Sequence, residues 1–93
     1  MDKVRALIEA GAPIPKAIRI ALESETGMSA SELARASDLR RAELSAVING
    51  GIRPTARHLE VLIKHLGGTE AEWREVLWLA GKPAVVEGLT AYA

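Results

Sequence analysis

The run Ser29–Asn49, SASELARASDLRRAELSAVIN, constrains the fold of this chain more than any other stretch. Ser29 is a natural helix cap, and Glu32 three residues on completes a capping box, so a helix is expected to start there. Leu33 and Ala34 face inward, and Ala34 is small enough for two steeply crossed helices to approach closely. Ser37-Asp38 breaks the helix, because both side chains compete for backbone hydrogen bonds and Asp tolerates a left-handed conformation. A second short helix is expected from about Leu39 or Arg40 to Ile48. It opens on the adjacent Arg40 and Arg41, buries Leu39, Leu44, Val47 and Ile48, and is stopped by Asn49-Gly50-Gly51.

Capped helical stripes flank this unit on both sides. Asp2–Ala10 places Val4, Leu7 and Ile8 on one side and ends at Gly11. Pro15 suits the first turn of a helix running to about Glu25, with Ile14, Ala17, Ile18, Ala21 and Leu22 inward, Ile20 off the stripe, and Gly27 closing it. Thr55 caps a helix in which Leu59, Leu62, Ile63 and Leu66 recur at i, i+3, i+4, i+7. After Gly67-Gly68, Thr69 and Glu72 box the start of a last helix with Trp73, Val76, Leu77 and Ala80 inward, which Gly81-Lys82-Pro83 is expected to stop. The reading is an all-α single domain over residues 1–93. It comprises a helical extension (1–12), a compact five-helix core (15–80) and a short tail (81–93).

Composition agrees with this. At 93 residues the chain suits one domain. Its core must be aliphatic, since there is no Phe, one Tyr and two Trp. With no cysteine there is neither a disulfide framework nor a thiolate metal site. No apolar run reaches the length of a membrane span and no signal-peptide core is recognisable, so a soluble cytoplasmic protein is expected. The formal charge is zero, but it is unevenly spread. Met28–His58 carries five arginines against three acids, whereas Leu59 to the end carries three basic residues against five acids. Positive charge therefore gathers around the paired short helices, which is where a nucleic-acid partner would need it.

Two short helices about a tight turn, the second opening on arginines, have the layout of a helix-turn-helix, which places one helix in the major groove of DNA. The ordered set Gly27-Met28-Ser29, Glu32-Leu33-Ala34, Leu39, Leu44-Ser45, Gly50, Pro54-Thr55 and Leu62 to Leu66-Gly67 resembles the phage-repressor class of regulators, the lambda and Cro (XRE-like) type. The run PTARHLEVLIKHLGGTEAEWREVLWLAG resembles actinobacterial versions of that family, and the resemblance spans about Pro15 to Ala80. This chain departs from the pattern twice: Asp38 stands where the family usually has a turn glycine, and Ala30 where it often has a phosphate-reaching Gln.

The resemblance implies a sequence-specific double-stranded DNA-binding regulator, acting as a repressor by occupying an operator, without cofactor or catalytic step. It places Arg40, Arg41, Ala42, Ser45 and Ala46 on the base-reading face of a recognition helix at about 40–48. Arginine reads guanine through paired bonds to O6 and N7. Ser29, Arg35, Asn49, Arg53, Thr55 and Arg57 are then expected at the sugar-phosphate backbone. Glu43, between reading positions, would pair with a neighbouring arginine or reject wrong bases. Such units work as dimers on paired half-sites. Trp78 and Leu79, off the inward stripe, together with Val85, Val86, Leu89 and Tyr92, are the expected dimer interface. An antitoxin that keeps its N-terminal helix or tail for a toxin, and an interaction module without DNA binding, are the alternatives. His58 and His65 lie two helical turns apart, about 10 Å of rise, too far to grip one metal ion together.

Overall fold

The computed structural model describes the backbone of residues 1–92 and the side-chain surroundings of residues 1–81. Over that range the chain is helical: α1 (Asp2–Glu9), α2 (Ile14–Thr26), α3 (Ala30–Ala36), α4 (Glu43–Ile48), α5 (Ala56–Leu66) and α6 (Glu70–Tyr92). The helix α2 is the hub and packs against each of the other five. Its inward stripe is the expected one, with Ala17, Ile18, Ala21 and Leu22 buried and Ile20 left outside. Around it close Val4, Leu33, Leu44, Val47, Ile48, Leu59, Leu62 and Trp73, all essentially without solvent contact. Each such aliphatic side chain contributes roughly 1.5–3 kcal/mol by leaving water. The indole of Trp73 buries its polar edge by donating Nε1–H to the Gly67 carbonyl at 2.8 Å.

Although α1 precedes the resemblance, it belongs to the same core. Met1 and Val4 are buried in the common apolar cluster. Its amino nitrogen donates to the Leu66 carbonyl, Lys3 donates to Ser24, and Arg5 pairs with Glu72 at 2.9 Å.

The helix boundaries follow local chemistry closely, with two exceptions. Both expected capping boxes at Ser29/Glu32 and Thr69/Glu72 form, with reciprocal bonds of 3.0–3.2 Å. Thr55 caps α5 as expected, but the reciprocal partner is His58, whose Nδ1 accepts from the Thr55 N–H at 2.9 Å. The first exception is the start of α4. It begins at Glu43 and not at Leu39 or Arg40. The reason lies one turn upstream: Asp38 adopts φ 58, and Leu39 N–H bonds back to the Ala34 carbonyl at 2.8 Å while Asp38 N–H reaches Arg35. This is a Schellman closure with Asp in the glycine position, and it sends the chain out of helix at Leu39-Arg40. The second exception is α6, which does not stop at Gly81-Lys82-Pro83 but runs on to Tyr92. Gly81 is not left-handed and serves another purpose. A Cβ on it would come within 2.8 Å of the Gly50 oxygen, so its bare backbone lets α6 pass against the end of α4.

Candidate nucleic-acid interface

The site is built on α3, its closure and α4. Leu33, Ala34, Leu44, Val47 and Ile48 anchor the two helices on α2, which holds the opposite face of α4 outward. At the far end of α4, Gly50 at φ 73 makes a second Schellman closure, with Gly51 N–H on the Ala46 carbonyl at 2.9 Å and Gly50 N–H on Val47 at 3.0 Å. The helix is thus fixed at both ends and is less than two turns long.

Arg40, Arg41 and Ala42 are exposed and occupy the turn that leads into α4, where Glu43 N–H bonds to the Arg40 carbonyl at 3.0 Å. Ser45 and Ala46 are half-buried and Asn49 is exposed on α4 itself and its C-terminal cap. The structure adds a residue that the sequence reading missed. Arg19, exposed on α2, donates from one terminal nitrogen to Asn49 Oδ1 at 2.6 Å and to Ser45 Oγ at 3.3 Å. No local pattern signals this, because the partners lie 26 and 30 residues apart in the chain.

Glu43 departs from its expected role. It turns inward to His58, with Oε2 3.2 Å from Nε2, and does not pair with Arg40 or Arg41. Since Nδ1 accepts from Thr55, the ring proton sits on Nε2 and is donated to the carboxylate. The buried His58 thus satisfies both nitrogens while joining α4 to α5. Arg40 and Arg41 are left without an ion pair: among the described residues neither has a carboxylate within 4 Å, and the same is true of Arg19, Arg35 and Arg53.

The expected backbone contacts are placed less uniformly. Arg35 and Arg53 are exposed, on α3 and in the link after α4. Arg57 spans from α5 to the Ser37 carbonyl at 2.9 Å and lies 3.5 Å from Glu60, so it braces the α3–α4 turn. Ser29 uses both its hydroxyl and its N–H in the capping box, and the hydroxyl oxygen of Thr55 accepts from His58 N–H. Away from this site, Trp78 is 63% exposed and Leu79 lies at the surface of α6. Val85, Val86, Leu89 and Tyr92, expected to complete an interface with them, lie outside the residues whose side chains are described.

A family model described as helix-turn-helix matches residues 18–73, from Ile18 in α2 to Trp73 in α6. No curated protein and no solved structure matches the chain.

Proposed function

Because the chain belongs to the XRE, or lambda-repressor-like, helix-turn-helix family of DNA-binding transcription regulators, we propose that it is a sequence-specific repressor that occupies its operator as a homodimer. In this reading α4 and the turn before it enter the major groove. Arg40 and Arg41 then meet guanine edges, and Ala42 and Ala46 allow close approach or touch thymine methyls. Arg35 and Arg53 flank the groove and meet phosphates, with the α5 start beside them. The carrying observation is the set of exposed arginines around α4 that no carboxylate among the described residues pairs with. Cations of that kind release counterions when they meet phosphates, which is where DNA affinity largely originates.

Repression would follow from occupancy alone, in the cytoplasm at the nucleoid. No helix among the described residues is long and apolar enough to cross a membrane. Dimerisation is assigned to α6 on the strength of Trp78 and Leu79, since aromatic anchors at a surface are typical of interface centres. Selection of bound sequences from random duplex DNA tests the whole reading. The expected product is a two-fold symmetric motif with half-sites about 10 bp apart, or a multiple of that spacing. Recovery of unselected sequence would defeat it.

A further inference from the structure

Arg19 lies on α2, outside the α3–α4 unit, yet its guanidinium sits against Ser45 on α4 and Asn49 at its C-terminal cap. Guanidinium only donates hydrogen bonds. The contact at 2.6 Å therefore claims the oxygen end of the Asn49 amide and leaves its NH2 group directed elsewhere. The same terminal nitrogen, at 3.3 Å from Ser45 Oγ, leaves the Ser45 hydroxyl hydrogen to point away from it. Reading adenine with Asn requires the amide oxygen to accept from N6 while the amide nitrogen donates to N7. With a cation against that oxygen, an incoming amino group is both displaced and repelled.

We propose that Arg19 is a specificity-determining residue. By occupying the side-chain oxygens of Ser45 and Asn49, it makes this end of the α4 face a surface of hydrogen-bond donors. Such a surface matches acceptors, namely guanine O6 and N7, thymine O4, phosphate oxygens and, of adenine, N7 alone. It is mismatched to the amino groups of adenine N6 and cytosine N4. Arg19 also brings its own unneutralised charge to the groove from α2, a helix that the recognition unit does not include. This inference rests on the DNA-binding reading above.

The test is sequence selection from random duplex DNA with the wild-type chain, Arg19→Met and Arg19→Lys, each checked for folding by its thermal transition. The wild type is expected to select guanine or thymine on the strand facing the Ser45–Asn49 end. Arg19→Met is expected to keep the part of the motif set by Arg40 and Arg41 but to admit adenine at the Ser45–Asn49 end, with discrimination there falling about tenfold. Lysine, a point donor without the planar fork, is expected to fall between the two, and it alone decides the matter if the Met variant does not fold. Unchanged base frequencies in a folded variant, or a wild-type preference for adenine at those positions, overturns the inference. Failure of the wild type to select any motif is a different outcome, and it removes the DNA-binding reading along with this one.

Discussion

Arg5 and Arg74 meet Glu72 and Glu70 at 2.9 and 2.8 Å, whereas Arg19, Arg35, Arg40, Arg41 and Arg53 meet no carboxylate among the described residues. The two groups have the same side chain and similar exposure, so the difference lies in where their acidic neighbours went. On the α1–α6 side Glu72 and Glu70 face Arg5 and Arg74 and pair with them. Around α4, Glu43 is drawn inward by His58, Asp38 and Glu32 lie within 4 Å of none of these arginines, and the arginines are left facing solvent. A chain of zero formal charge can in this way pair some of its arginines and gather unpaired ones at one site. For nucleic-acid binding the distribution matters more than the sum.

The largest expected effect separates the two groups directly. Replacing Arg40 and Arg41 together by Ala should weaken operator binding by roughly 2–6 kcal/mol, at about 1–3 kcal/mol for each lost guanine pair. Thermal stability should stay within about 0.5 kcal/mol, as for surface substitutions generally. The matching exchange of Arg5 and Arg74 should leave binding unchanged. Titrations across a salt series would decide it, and equal losses from both double variants would erase the distinction.

A smaller effect is expected where the two sides touch. A Cβ at Gly50 would stand 2.4 Å from the Gly81 backbone nitrogen, on a backbone held at φ 73. Gly50→Ala should therefore destabilise by about 2–5 kcal/mol through strain and overpacking together. Denaturant unfolding measures this; a loss below about 1 kcal/mol would mean that α4 and α6 part without cost.

The smallest effect concerns the paired side alone. The hydrogen bond from Arg5, with further ones from the Thr69 side chain and backbone, holds the Glu72 carboxyl below its ordinary range. A carboxyl lowered in the folded state stabilises above its unfolded pKa, and that contribution is lost as pH falls through the folded value. Arg5→Met should accordingly be slightly less stable than the wild type at neutral pH, with the gap closing in acid. Melting curves from about pH 7 to about pH 2 would show it. A gap independent of pH would assign the effect of Arg5 to packing rather than to Glu72.

What the sequence determined by itself was whatever depends on neighbours a few residues away. The caps at Ser29, Thr55 and Thr69, the apolar stripes, and the left-handed Asp38 all express contacts within one or two turns, and each formed where its residues stood. The exposed arginines around α4 were legible for the same reason, as a local excess of charge. Three contacts that shape the site join residues far apart in the chain, and only the tertiary structure decided them. Arg19 reaches Asn49, Glu43 turns to His58, and Gly81 lies against Gly50. Gly81 shows the ambiguity best. A glycine followed by a proline signals a helix stop when judged locally, and only the backbone of another helix pressed against it reveals that its missing side chain serves close packing.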